Sequence, residues 1–132
     1  MQIVLLSHGY FAKELMRSCE YINSDIDDVY YLCLTDEGID KFGESIKSLL
    51  QENREEEKLF FCDLAHGSPY NQLLIALLEL GITNYRIISG MNLPMLLQAT
   101  IMVKSESNLA HISEECSKIG SSGIVVYEPK ND

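Results

Sequence analysis

A histidine stands where the first apolar run of the chain ends. Residues 3–6 are continuously apolar, as in a strand buried on both faces, and Ser7 and His8 follow them directly. An imidazole can accept a phosphoryl group on one ring nitrogen when a hydrogen-bonded partner holds the other nitrogen. Asp63 ends another apolar run, and a carboxylate suits the partner's role because it fixes the tautomer and stabilises the cationic ring. The sequence therefore indicates a phosphate-accepting His8 oriented by Asp63.

The loop after Asp63 has residues that could hold phosphate oxygens. Gly67 and Ser68 stand just before Pro69, which favours the first turn of a helix. Backbone N–H groups at a helix start bind anions without the help of basic side chains. We therefore predict a phosphate-binding group made of Gly67, Ser68 and Gly9, the neighbour of His8.

Other chemistries fit the sequence less well. The glycine patterns of dinucleotide-binding and P-loop proteins are absent, and no cysteine has the following arginine that a cysteine phosphatase requires. A receiver domain needs clustered carboxylates where Ser7 and His8 stand. "SHG" is similar to the RHG of histidine phosphatases, but these need an arginine at position 7. His8, His66 and His111 could hold zinc, although the strand-end aspartate favours phosphate. We predict neither a metal nor a cofactor.

Short apolar runs alternate along the chain with segments of helical period. Strands are predicted near residues 3–6, 28–34, 58–63, 85–90 and 123–128, and helices near 11–22, 39–50, 70–81, 93–102 and 106–120. Helices between successive strands imply a parallel sheet with right-handed crossovers and helices on both faces. The predicted fold class is therefore α/β: a three-layer α/β/α sandwich with a mainly parallel, doubly wound sheet in the flavodoxin-like order 2-1-3-4.

This strand order brings the two candidate residues together. In open α/β sheets, ligands bind outside the carboxyl ends of the strands, where the strand order reverses. In the predicted order that point lies between the first and third strands, which end at His8 and Asp63. We expect their side chains to meet in this crevice, with the Gly67–Ser68 loop beside them.

Composition narrows the class of protein further. The 132 residues carry 20 acidic and 10 basic side chains, a formal net charge of −10, so a nucleic-acid partner is not expected. Cys19, Cys33, Cys62 and Cys116 lie far apart, as reduced and packed thiols of a cytoplasmic protein would. The apolar N-terminus is interpreted as a strand rather than a signal peptide, and no run is long enough to span a bilayer. We predict one domain, 1–128, and a short tail, 129–132.

Three motifs in this order resemble the enzyme IIA component of the mannose family of the bacterial phosphotransferase system. They are "IVLLSHGYFAKELMRSCEYI", "LFFCDLAHGSPYNQ" and "ISGMNLPMLLQA". The resemblance implies a phosphoryl relay: the phosphocarrier HPr phosphorylates His8 on Nε2, and His8 passes the phosphate to a histidine of enzyme IIB. The membrane components, enzymes IIC and IID, are then indirect partners. The resemblance also implies an antiparallel C-terminal strand that is exchanged between the subunits of a homodimer in several members.

The resemblance leaves some residues and alternatives open. A partner must reach His8, so Tyr10, Phe11, Met91 and Asn92 are candidates for a contact surface around it, with core packing as the alternative. His66 stands where the family usually has a glycine, and a histidine there is strained if the position has a positive φ. The residue could instead contact the phosphate or a partner, or it is a tolerated surface substitution. The alternative functions are a phosphoryl donor for a dihydroxyacetone kinase and a regulatory module phosphorylated on His8.

Overall fold

A computed structural model of the chain describes residues 1–131. Its four strands form a single parallel sheet in the order β2-β1-β3-β4. The strands are β1 Gln2–His8, β2 Val29–Leu34, β3 Lys58–Cys62 and β4 Tyr85–Ser89. The predicted order is confirmed, and the strand order reverses between β1 and β3, where the sequence placed the crevice.

Five helices cover the two faces of the sheet. They are α1 Phe11–Ile22, α2 Ile39–Glu52, α3 Ser68–Leu80, α4 Leu93–Met102 and α5 Leu109–Ser122. Helices α1, α4 and α5 pack on one face against Ile3, Leu5 and Phe61, while α2 and α3 pack on the other against Val4 and Phe60. The result is the predicted three-layer α/β/α arrangement.

The two central strands explain the apolar runs of the sequence. All residues of β3, and all residues of β1 before His8, are buried, because each strand has a strand on either side and helices above and below. Side chains that alternate between two buried faces must all be apolar or otherwise accommodated, which removes the alternating pattern of a half-exposed strand. The first exposed position of β1 is His8, at the carboxyl end of the strand.

The predicted last strand does not form within this chain. After Ser122, no strand is present among residues 123–131, and Ile124, Val125, Val126 and Tyr127 are 77–84% exposed. A strand needs a neighbour for its backbone N–H and C=O groups, and this segment pairs with no strand of its own sheet. The exchange with a second subunit therefore stays a prediction, and the predicted tail ends at Asp132, outside the described residues.

The cysteines are free thiols and mostly lie in the core. Cys19, Cys62 and Cys116 are fully buried, and Cys33 is partly exposed. Burial raises the pKa of the Cys62 and Cys116 thiols to about 12, with nearby carboxylates adding to the effect. No helix within residues 1–131 is long and apolar enough to cross a membrane.

Candidate functional site

His8 and Asp63 lie in contact at the carboxyl end of the sheet. Nδ1 of the imidazole is 2.8 Å from Oδ2 of Asp63, and the same oxygen accepts the backbone N–H of His8 at 2.8 Å. The other carboxylate oxygen accepts the backbone N–H of Leu64 at 2.9 Å. The imidazole is about half exposed and the carboxylate is largely buried. Asp63 thus holds Nδ1, and Nε2 is the ring nitrogen left for a reaction.

The pairing of β1 with β3 produces this contact. Leu6 and Cys62 are register partners, and the backbone N–H of Asp63 donates to the carbonyl of Leu6. The chain directions are parallel, so the residues that follow these partners leave the sheet at the same edge. The meeting of His8 and Asp63 that the predicted order requires is therefore present.

The start of α3 lies against the imidazole. A Cβ added to Gly67 would stand 2.9 Å from Cε1 of His8, the ring carbon between the two nitrogens. Ser68 is the first residue of α3, and Pro69 occupies the first turn as expected. The N–H of Gly67 already donates to Leu64 at 3.3 Å, whereas the N–H of Ser68 has no backbone partner among residues 1–131. The N-terminal end of α3 therefore lies beside the ring, and the N–H of Ser68 is a candidate donor to an anion there.

Gly9 has a different role from the one predicted. Its backbone N–H donates to the carbonyl of Leu34 at 2.7 Å, because the pairing with β2 continues past His8. This N–H is therefore occupied and is not a phosphate donor in this conformation. Gly9 has a φ of +58°, so its contribution is a turn in the left-handed region that leads from β1 into α1.

The phosphorylation of His8 that the resemblance implies is expected to be about 10–100-fold slower in a Gly67→Ala variant, because the added methyl group displaces the imidazole from its place beside α3. The backbone at Gly67 has φ −73° and ψ 170°, which alanine adopts freely, so the fold should persist. Intact-protein mass spectrometry over time after mixing with phosphorylated HPr measures the rate.

Gly43→Ala is the matched control for this substitution. Gly43 lies within α2, and its added methyl would meet only the end of the Gln72 side chain, at 3.1 Å. Alanine should stabilise α2 by about 0.5–1 kcal/mol and leave the phosphorylation rate unchanged. Equal rates for Gly67→Ala and wild type would contradict the proximity argument.

His66 occupies a strained position in the loop between Asp63 and α3. Its φ is +66°, a left-handed value that a side chain disfavours. Two residues of α3 contact it: the ring of Tyr70 packs edge-on with centroids 5.3 Å apart, and the side-chain amide of Asn71 donates to the His66 carbonyl at 3.1 Å. The positive φ that would make histidine costly here is therefore present, and these contacts offset part of its cost.

His66→Gly is expected to be more stable than His66→Ala by about 1 kcal/mol in free energy of unfolding, because only glycine relieves the left-handed strain. Both variants lose the Tyr70 contact, so the difference between their free energies of unfolding reports the cost of the left-handed backbone conformation. Urea unfolding of the two variants measures it. An alanine variant as stable as the glycine variant would show that the loop relaxes to a negative φ.

The predicted contact surface divides into exposed and buried residues. Tyr10 and Phe11 are 64% and 46% exposed beside His8, and Leu64 joins them at 60%. Met91, by contrast, is buried in the core under α4, so its prediction as a surface residue is wrong. Its N–H donates to the carbonyl of Cys62, which draws this loop down onto the sheet.

Asn92 is engaged in holding helices together. Its side-chain oxygen accepts the N–H of Met95 at 3.1 Å and so caps α4, and its side-chain nitrogen donates to the carbonyl of Gly120 in α5 at 3.0 Å. Both functional groups of the amide are thus used within the fold. This favours a structural role for Asn92 over a partner contact.

The structure adds Ser7 and Asn71 to the residues that shape the site. Ser7 is fully buried, and its hydroxyl bonds to the backbone on both sides of the turn after His8. The sequence hint of this role was a serine at the end of an apolar run, directly before His8. Among residues 1–131, no group of three His, Cys, Asp or Glu side chains is placed to hold a metal ion.

Comparison with known proteins shows the family to which the chain belongs. The sequence pattern of the family described as "PTS system fructose IIA component" matches residues 2–116. The sorbose-specific EIIA component of the phosphotransferase system of Lacticaseibacillus casei is 27% identical over 139 residues, covering 100% of this chain and 99% of the relative.

Solved structures show the same fold. The mannose/sorbose-specific IIA subunit of Enterococcus faecalis has a TM-score of 0.85 at 23% identity, covering 98% of this chain and 96% of that one. A IIA protein associated with the fucose utilization operon of Streptococcus pneumoniae has a TM-score of 0.70 at 26% identity, covering 89% and 88%. Since the family pattern extends over most of the chain, the chain belongs to the mannose-type IIA components of the sugar phosphotransferase system.

Proposed function

We propose that the protein is a cytoplasmic phosphoryl carrier that accepts phosphate from HPr on Nε2 of His8 and passes it to a histidine of enzyme IIB. The observation that carries the proposal is the 2.8 Å contact between Nδ1 of His8 and Asp63 on an imidazole that is about half exposed. A carrier histidine needs one nitrogen fixed and the other accessible to two successive partners, and this arrangement provides both.

The transfer uses groups that the chain itself supplies. The Nε2 lone pair attacks the phosphorus of phosphorylated HPr, and the phosphorus–nitrogen bond on HPr breaks as the new bond forms. The carboxylate of Asp63 stabilises the positive ring that results, through the proton on Nδ1. The N–H of Ser68 and the start of α3 stabilise the phosphoryl oxygens. Transfer between two imidazoles needs mainly positioning, so no metal or cofactor enters the proposal.

The exposed residues around His8 support direct docking of both partners. Tyr10 and Phe11 follow His8 in the chain, Leu64 follows Asp63, and all three side chains are exposed, as an apolar interface that excludes water from the transfer requires. HPr and enzyme IIB would use this surface in turn. Enzymes IIC and IID, which carry the sugar through the membrane, then depend on this chain only through enzyme IIB.

The test is a reconstituted relay. The protein is incubated with phosphoenolpyruvate, enzyme I and HPr, and intact-protein mass spectrometry is expected to show one acid-labile phosphoryl group. Addition of enzyme IIB should then remove it. No uptake of phosphate by the wild type would refute the carrier role, and uptake without transfer to enzyme IIB would point to another acceptor, such as a dihydroxyacetone kinase.

The C-terminal segment supports a homodimer of 1–128 carrier domains. Ile124, Val125, Val126 and Tyr127 are exposed apolar residues, and β4 is an edge strand with no neighbour on its outer side in the described chain. Such a segment could add to the β4 edge of a second copy and pair there.

Val126→Asp is expected to convert a dimer into a monomer in sedimentation velocity. Val126 is 83% exposed in the single chain, so the charge has no contact to break except one between subunits. Tyr21→Asp, at a residue 92% exposed near the end of α1, is the control and should leave the mass unchanged. A monomeric wild type, or a dimeric Val126→Asp variant, would contradict the pairing of this segment.

A further inference from the structure

We propose that Ser7 is a positioning residue for the reaction of His8, an inference that rests on the proposed function. Ser7 is fully buried at the end of β1, in register with Cys33 of β2. Its hydroxyl accepts the backbone N–H of Ala12 at 2.7 Å and donates to the carbonyl of Gly9 at 3.2 Å. One side chain therefore joins the strand, the turn that follows His8 and the first turn of α1.

The hydroxyl replaces the capping residue that α1 lacks. Tyr10 occupies the N-cap position, and its side chain makes no capping hydrogen bond. The N–H groups of the first helical turn have no partner within the helix, and Ser7 satisfies the one on Ala12 from below. The start of α1, which presents Tyr10 and Phe11 beside the imidazole, is thus fixed to the strand that ends in His8.

Ser7 also completes the restraint of the backbone around His8. The N–H of His8 is held by Asp63, and the N–H of Gly9 is held by Leu34. The next peptide group, between Gly9 and Tyr10, is held only through its carbonyl, by Ser7. Three successive peptide groups are therefore fixed, and the third is the one that a glycine with φ +58° could most easily rotate.

The orientation of this third peptide depends on the Ser7 hydroxyl. In a trans peptide the C=O and N–H point in opposite directions. Because the Gly9 carbonyl points to the buried hydroxyl of Ser7, the N–H of Tyr10 points away from it. Loss of the hydroxyl would leave the Gly9 carbonyl and the Ala12 N–H without this partner. These unsatisfied groups destabilise the present conformation of the turn, so the turn is expected to rearrange. His8 would then lose its fixed distance to Asp63 and α3.

The test compares Ser7→Ala with Ser7→Thr, which keeps the hydroxyl, and with Thr100→Val as a control. Thr100 is another buried hydroxyl with two hydrogen bonds, to Leu97 and Asn23, and it lies in α4 away from the site. Ser7→Ala is expected to accept phosphate from HPr about 10–100-fold more slowly, while Ser7→Thr and Thr100→Val stay within about twofold of wild type. A Ser7→Ala rate within twofold of wild type would overturn the proposal.

A second readout separates positioning from stability. Nitrogen and proton NMR of the His8 ring reports the tautomer and the Nδ1 hydrogen bond, which a purely structural loss in Ser7→Ala would leave unchanged. We expect this signature to change in Ser7→Ala and to persist in Ser7→Thr. If Ser7→Ala does not fold, Ser7→Cys fills the same space with a weakly bonding thiol and must show the same slowing and the same change.

The two readouts also distinguish this proposal from the carrier function. If wild type accepts no phosphate, the proposed function fails, and the ring spectra still decide whether Ser7 positions His8. If wild type accepts phosphate and neither the rate nor the ring spectrum responds to Ser7→Ala, the positioning role alone is refuted.

Discussion

A His8→Ala variant is expected to accept no detectable phosphate from HPr. The imidazole at the carboxyl end of β1 would be gone, and removal of a nucleophile typically lowers a rate by a factor of about 10⁶. The variant should still fold, because His8 is the first exposed residue of β1 and its side chain adds little to the core. Intact-protein mass spectrometry beside wild type measures the loss.

Two histidine variants serve as controls for this result. His111 lies in α5 near Glu106, and His66 packs on Tyr70, so His111→Ala and His66→Ala should both retain one phosphoryl group. Phosphate on His8→Ala would place the acceptor elsewhere in the chain. Loss of that phosphate in a His8→Ala, His66→Ala double variant would then identify His66.

The central architecture could be predicted because its causes are local. The unbroken apolar runs at residues 3–6 and 59–62 are typical of strands covered on both faces, and helical periods between successive strands favour parallel crossovers. Once β1 and β3 are neighbours, His8 and Asp63 must leave the sheet at one edge. The site pair was therefore accessible to sequence reasoning, although it is 55 residues apart in the chain.

The parts that sequence reasoning missed depend on contacts made in three dimensions. The Gly9 N–H donates to the carbonyl of Leu34 and so is not free to bind phosphate, because the pairing of β1 with β2 extends two residues beyond the apolar run. Met91 is an apolar residue in a loop, and its burial depends on packing in the core and on the bond of its N–H to the carbonyl of Cys62, neither of which the sequence displays. The residues after Gly123 have the composition of a strand, but they pair with neither open edge of the described sheet, because composition does not decide which edge a segment joins.

No sequence pattern predicts the hydrogen bonds of the Ser7 hydroxyl to Gly9 and Ala12. A serine at the end of an apolar run is compatible with a strand end, a turn or a tolerated core position. Its meaning comes from the left-handed turn at Gly9, which returns the chain over the hydroxyl. Sequence reasoning thus identified the groups to which the proposed function assigns the reaction, and the structure identified the groups that hold them.

Asp63→Asn is expected to lower the rate of phosphorylation by about 10²–10⁴-fold while the chain stays folded. Asp63 accepts three N–H groups: Oδ2 accepts both from His8, and Oδ1 accepts that of Leu64. An asparagine has one oxygen and one NH₂ in their place. If the oxygen faces His8, the NH₂ opposes the Leu64 N–H; if it faces Leu64, the NH₂ opposes the backbone N–H of His8 and favours the tautomer with its proton on Nε2.

The loss of the negative charge of Asp63 is expected to slow phosphorylation, as the altered hydrogen bonds to His8 do. After transfer the ring carries a proton on Nδ1 and the phosphoryl group on Nε2, and only a carboxylate beside Nδ1 compensates that positive ring. Asp27→Asn is the matched control, since it removes one negative charge just before β2, at the opposite end of the parallel sheet. It should leave the rate unchanged. Time-resolved mass spectrometry with phosphorylated HPr compares the variants, and an Asp63→Asn rate equal to that of Asp27→Asn would mean that the 2.8 Å contact does not orient the reacting ring.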